Sequence, residues 1–114
     1  GRITIVDHKS GGLKILRSGE VSKTDRARFL DYKRQLYLYS IPVIREFGPV
    51  STLAWNLMKD RTTYRIAWRQ DEYDATIAWA LATIRRIRSA ARFPRNRTNA
   101  FYCDNLCSQR NKGC

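Results

Sequence analysis

Apolar and polar side chains alternate at the start of the chain, with Ile3, Ile5, Asp7 and Lys9 on one side and Thr4, Val6 and His8 on the other. A period of two predicts a strand, and Ser10-Gly11-Gly12 closes it. A short apolar stretch at 13–16 leads irregularly into a polar loop at 17–23. Thr24 or Asp25 can then cap a helix, whose apolar positions include Phe29, Leu30, Tyr32, Leu36, Tyr37 and Ile41. Pro42 should kink or end that helix, because it lacks an N–H and crowds the preceding turn. Gly48-Pro49 is a firm stop. Two alternating segments follow, Leu53, Trp55 and Leu57 facing one way on the first and Tyr64, Ile66 and Trp68 on the second. Lys59-Asp60-Arg61-Thr62 joins them, so they read as a hairpin. Asp71-Glu72 open a long helix with Ile77, Leu81, Ile84 and Ile87 on its apolar side, and its acidic start and arginine-rich end both complement the helix dipole. Beyond Ala91 the pattern is irregular.

The order strand, helix, hairpin, helix implies a small α/β unit with a mixed sheet flanked by helices. At 114 residues the chain is long enough for one domain with a modest core. A strand already under way at Gly1 suggests an N-terminal truncation, with partner strands for that edge lying upstream. No apolar run is long enough to cross a bilayer, so no membrane role is expected. Trp55, Trp68 and Trp79 could mark a partner-docking surface, but their positions in the strand and helix patterns suit core packing better.

Net charge adds a partner class. The chain carries +12, and from residue 85 onward eight Lys or Arg face the single acid Asp104. Such an excess favours a polyanion, since neutralising phosphates releases condensed counterions. Charge alone does not separate DNA from RNA, or binding from cutting.

Candidate chemistry lies at the end of the first strand. Asp7 and Lys9 put a carboxylate and an ammonium side by side where a metal and a water can sit, and Gln35 and Tyr39, about one helical turn apart, share a helix face. Asp7 and the backbone carbonyl of His8 offer hard oxygens to Mg²⁺ or Mn²⁺, and Lys9 can orient a water or stabilise developing negative charge. The His8 side chain points away from Asp7. Arg34, about 100° round the helix from Gln35, is a candidate phosphate contact. Taken in order, the apolar strand ending D-H-K-S-G and the helix carrying R-Q-L-Y-L-Y resemble the PD-(D/E)XK nuclease superfamily, and within it the RecB-like branch. That resemblance implies the C-terminal part of a restriction-endonuclease-like core over residues 1–92, with Asp7 and Lys9 catalytic and Gln35 and Tyr39 holding the DNA backbone. It also implies upstream elements: a second acidic ligand in a preceding hairpin and a histidine on an earlier helix.

Residues 93–114 form a cysteine-bearing tail in which Cys103, Cys107 and Cys114 are spaced C-x3-C-x6-C. Three thiols leave one unpaired in any disulfide scheme, and both zinc and an Fe–S cluster call for a fourth ligand. A subset of the RecB-like branch has three cysteines after the final helix and one far upstream, so the resemblance implies a 4Fe–4S cluster, with Zn²⁺ or unmetallated thiols as alternatives. The expected protein is therefore a metal-dependent DNA exonuclease or endonuclease of phage or bacterial type. It would stand alone or work with a helicase, recombination or CRISPR-type partner. Free clustered thiols and a DNA substrate point to the cytoplasm. The alternative is a non-catalytic basic nucleic-acid-binding module with a metal-stapled tail.

Overall fold

The computed structural model describes residues 1–94, 96 and 98–108. The elements are β1 (Ile3–Lys9), a 3₁₀ turn (Lys23–Asp25), α1 (Arg26–Phe47), β2 (Val50–Leu57), β3 (Thr62–Ala67), α2 (Gln70–Ser89) and a π-helical turn (Tyr102–Leu106). The chain divides into two compact units, Gly1–Ala82 and Thr83–Cys114, with the boundary inside α2. Unit one is a small α/β domain built on a three-stranded mixed sheet of order β1-β2-β3. β1 pairs with β2 in parallel, and β2 with β3 as the expected antiparallel hairpin.

Parallel pairing needs a crossover, and α1 provides it. The helix lies over the face that carries Leu53, Trp55 and Leu57, all fully buried. Leu36 and Tyr37 are its own buried contribution, with Phe29 and Tyr32 packed beside them. Phe29 meets the Trp55 indole edge-on at 5.2 Å, a favoured arrangement of two ring quadrupoles. β2 is the most continuously buried strand because it has neighbours on both sides. On the opposite sheet face Thr4, Val6 and His8 from β1 and Thr63, Arg65 and Ala67 from β3 are exposed, while Ala54 of β2 between them is buried. Among the described residues β1 has no strand on its outer side.

Three local features depart from the sequence pattern. Helix α1 does not end at Pro42; it runs to Phe47 and stops at Gly48, whose φ of 100° suits glycine. Val43 and Ile44, just past the proline, pack on the core and hold the last turn in register, while Pro42 itself is exposed. Tertiary burial thus outweighs the lost backbone bond. The supposed polar loop at 17–23 supplies a core residue, Val21, because Ile15 and Val21 bridge across a small turn and Leu13 is buried with it. Asp25 does stand at the helix N-cap, yet its side chain does not cap; its Oδ2 accepts from the Lys14 N–H at 2.8 Å and ties this turn to the helix. At Gly12 the backbone passes so close to Asp60 that a Cβ there would collide with the carboxylate, which accepts from the Leu13 N–H at 3.2 Å.

Helix α2 joins unit one through long side chains of its first turns. The Tyr37 hydroxyl donates to Glu72 Oε2 at 3.0 Å and accepts from the Arg69 N–H at 3.3 Å. Burial, reinforced by the Glu72 charge, pushes that phenol well above its ordinary value, so it stays neutral and donating. Lys33 completes the tie to Glu72 at 3.0 Å. On the exposed side of the same turn, Arg69 holds the Asp71 carboxyl below its usual range through two hydrogen bonds. The expected apolar side of α2 is buried only at its start: Ile77 is half-buried, whereas Leu81, Ile84 and Ile87 are exposed.

Replacing Pro42 with Ala is expected to raise stability by about 1–2 kcal/mol, the regained helix bond outweighing the loss of unfolded-state restriction. Urea unfolding measures this, and a drop in stability would mean that the helix depends on a break at that position.

Candidate functional site

The pleat of β1 turns Asp7 and Lys9 toward α1, and the face of α1 that meets them carries Tyr32, Gln35 and Tyr39. These five side chains form one connected set. Lys9 Nζ lies 2.8 Å from Asp7 Oδ2 and donates to Gln35 Oε1 at 2.6 Å. It also sits 4.5 Å from the centre of the Tyr32 ring, within cation–π reach. Gln35 Nε2 donates in turn to the Tyr39 hydroxyl at 3.0 Å. The amide is thereby fixed, its oxygen toward the ammonium and its nitrogen toward the phenol. The set runs outward from an ion pair about 80% shielded from solvent to a tyrosine that is 51% exposed.

Asp7 Oδ2 is buried and has no hydrogen bond, although Lys9 Nζ stands 2.8 Å away. The two observations agree if the ammonium approaches off the line that a hydrogen bond requires: the contact is an ion pair, and the oxygen keeps an acceptor direction open. A buried carboxylate oxygen with that freedom suits a hard cation. The backbone adds a second oxygen. The Lys9 carbonyl accepts from the Met58 N–H at 2.9 Å and so faces β2. Carbonyls alternate along a strand, so that of His8 faces the open edge. The His8 imidazole lies on the other sheet face as expected, with Nδ1 3.1 Å from Asn56 Nδ2. Among the described residues no group of three or more His, Cys, Asp or Glu side chains is gathered to hold a metal. The residues present fit a cation as far as one carboxylate and one carbonyl go.

Arg34 lines the same cleft without joining the hydrogen-bonded set. Its guanidinium stacks over the Trp79 indole at 4.1 Å and stands 3.9 Å from Asp31. The cleft has a volume of about 520 Å³ and is lined by Lys9, Asp31, Tyr32, Arg34, Gln35, Leu38, Tyr39 and Trp79. Of its aromatic residues, Tyr32 and Trp79 were not expected at a site. Tyr32 was readable, since 32, 35 and 39 fall on one helix face. Trp79 was expected in the core with Trp55; Trp55 is fully buried, but Trp79 is 38% exposed. Nothing in a single-sequence pattern marks where the burial of α2 ends.

In unit two, Cys103 and Cys107 are free thiols about one turn apart at the π-helical turn. Both are half-buried, whereas Phe101, Tyr102, Asp104, Asn105 and Leu106 around them are exposed. Cys103 Sγ lies 3.7 Å from the Asn96 carbonyl. Cys114, together with Arg95, Arg97, Arg110 and Lys112 of the basic segment, falls outside the described residues.

Removing the ammonium should expose what Asp7 costs. Lys9→Met leaves a shielded carboxylate without its cation and is expected to lower stability by about 1–3 kcal/mol. Adding Asp7→Asn to it should recover most of that loss, a coupling that a double-mutant cycle in urea reads directly. Additive effects would mean that the two charges are independently solvated. No family model, curated protein or solved structure matches this chain.

Proposed function

We propose that the chain is the C-terminal part of a divalent-metal-dependent DNA nuclease core of the PD-(D/E)XK type, in its RecB-like branch. The observation that carries this reading is the Lys9 ammonium held between the Asp7 carboxylate at 2.8 Å and the Gln35 amide at 2.6 Å, with Tyr39 on the same amide. Side chains separated by about thirty residues of sequence converge in the combination that phosphodiester hydrolysis uses: an oxygen ligand, a cation and polar groups for the backbone.

A bound Mg²⁺ or Mn²⁺ would polarise the scissile phosphate and supply an acidified water. Asp7 Oδ2 and the His8 carbonyl are the groups on this chain that would hold it. Lys9, beside a carboxylate and pinned by Gln35, would present positive charge where a pentacoordinate phosphorane gathers negative charge. Gln35 keeps the ammonium from swinging away, and Tyr39, the most exposed member, is placed to meet a phosphate from outside. With one carboxylate at the site, residues 1–114 alone should bind DNA and cut it slowly or not at all. The fold fits the proposal in its parallel β1–β2 pair, its crossover helix and its open β1 edge, where a restriction-endonuclease-like core would continue.

In unit two, the half-buried free thiols of Cys103 and Cys107 support a metal-bound tail, a 4Fe–4S cluster in the leading version and Zn²⁺ in the alternative. The alternative function, a basic nucleic-acid-binding module without catalysis, is supported by the net charge of +12. A helicase, recombination or CRISPR-type partner and a cytoplasmic setting belong to the nuclease reading. No helix of the described residues is long and apolar enough to cross a membrane.

In the natural full-length protein with Mg²⁺ or Mn²⁺, Asp7→Ala is expected to abolish cleavage of linear DNA, and Lys9→Ala to slow it at least about a hundredfold. Wild-type cleavage in either variant would sink the nuclease reading. DNA that is bound equally by wild type and Asp7→Ala but never cut would select the binding module. Anaerobically purified full-length protein should contain iron, or zinc on the alternative, at a content that Cys103→Ser lowers. Colourless protein with neither metal would leave the thiols unmetallated.

A further inference from the structure

The cleft beside Lys9 combines two chemistries that the hydrolytic groups do not require. One is aromatic: the rings of Tyr32, Tyr39 and Trp79 line it, Tyr39 at 51% and Trp79 at 38% exposure. The other is cationic. Arg34 sits over the indole with its guanidinium carbon 4.1 Å from the ring centre, and its Nη1 stands 3.9 Å from Asp31, which also lines the cleft. A guanidinium offers N–H groups that match the geometry of a phosphate. At about 520 Å³ the cleft lies within the ~300–1,000 Å³ typical of sites that enclose a small ligand or one residue of a polymer.

A ligand matching both chemistries has an accessible π face and an anion joined to it at short range, which is a nucleotide whose base is not stacked in a duplex. Paired bases show a protein only their edges in the grooves, whereas single strands offer each base face to an aromatic platform and each phosphate to a cation. The net charge of +12 supplies attraction for any polyanion, but it has no preference between the two forms. We propose that this cleft seats the base of an unpaired nucleotide of a DNA strand against Trp79 and Tyr39, with Arg34 holding the adjoining phosphate. Trp79 is then a specificity-determining residue for single-stranded over duplex substrate. The proposal rests on the nucleic-acid reading above and not on catalysis.

The test is binding of a fluorescein-labelled oligothymidylate of about 12 nucleotides, and of a duplex of equal length, by fluorescence anisotropy in EDTA. Trp79→Leu is expected to weaken single-strand binding about tenfold or more, the loss of one stacked base, and to change duplex binding less than about twofold. Trp79→Phe, which keeps a ring, should retain most of the affinity. Tyr39→Leu, at a still more exposed position, should repeat the single-strand loss relative to Tyr39→Phe, which removes only the hydroxyl that the nuclease reading assigns to the backbone. This pair serves if Trp79→Leu fails to fold. Equal losses on both DNA forms, or no loss on either in the folded variants, would overturn the proposal. Competition by thymidine monophosphate at the concentration of strand that half-saturates would assign the cleft to a free nucleotide and overturn it as well. Because metal is excluded, strand selectivity in a protein that never cuts DNA would leave this inference standing while removing the nuclease reading. Loss of metal-dependent cleavage in Asp7→Ala together with unchanged single-strand binding in Trp79→Leu would do the reverse.

Discussion

Parallel pairing of β1 with β2 is the constraint from which the rest of unit one follows. Two parallel strands cannot be joined by a tight turn, so the chain must climb back across a sheet face, and a helix is the element that does so with its backbone bonds satisfied. Once α1 crosses that face, its apolar side must cover Trp55 and Leu53, which fixes its rotation. Rotation in turn decides which residues stand over the end of β1. Leu36 and Tyr37 go down into the core, and Gln35, one step round, is left at the margin above Lys9. The polar set is thus positioned by the same packing that buries the hydrophobic residues, and no separate device is needed to orient it.

That placement has an energetic penalty. Asp7 is the register partner of Trp55 on β2, at a level of the sheet where the neighbouring strand is fully buried. A carboxylate there is tolerated because Lys9 stands beside it, yet the pairing is incomplete: Asp7 Oδ2 and the Trp55 indole N–H are both buried without a hydrogen bond. A pair chosen for stability alone would be replaced at little loss by apolar residues of similar volume. On the nuclease reading proposed above, the unfilled hydrogen-bonding capacity beside a cation, an amide and an exposed phenol is capacity for a ligand, in line with the tendency of under-satisfied groups to gather at functional sites.

Strict periodicities were the legible part of this chain. The period of two in β1 put Asp7 and Lys9 together and sent His8 to the other face, and the i, i+4 spacing paired Gln35 with Tyr39. The hairpin faces were equally readable, because Leu53, Trp55 and Leu57 alternate without interruption. What failed was everything decided by tertiary context. Pro42 breaks helices locally, but Val43 and Ile44 have a core to pack on. Val21 sits among polar neighbours, yet a bridge to Ile15 turns it inward. Helix α2 has a helical apolar stripe from end to end, and the sequence does not say how far a partner surface extends beneath it. Trp79, just beyond the point where burial gives out, therefore read as core. The position of Arg34 over that indole was invisible from either residue's own segment.

On the proposed reading as a DNA-binding protein, charge and shape divide the work of recognition between them. The long-range attraction of a +12 chain for a polyanion is not directional, falls steeply with salt and serves duplex and single strand alike. Within the cleft the forces are short-ranged: a guanidinium over an indole, a phenol fixed by the Gln35 amide, and an ammonium held by Asp7. Stacking is little affected by ionic strength because it moves no net charge. At high salt, where counterion release contributes least, the cleft would supply a growing share of the remaining affinity. Discrimination between strands should therefore sharpen as overall binding weakens. A protein whose selectivity came from its basic segment alone would show the opposite trend, since weakening that segment would remove its affinity and its preference together.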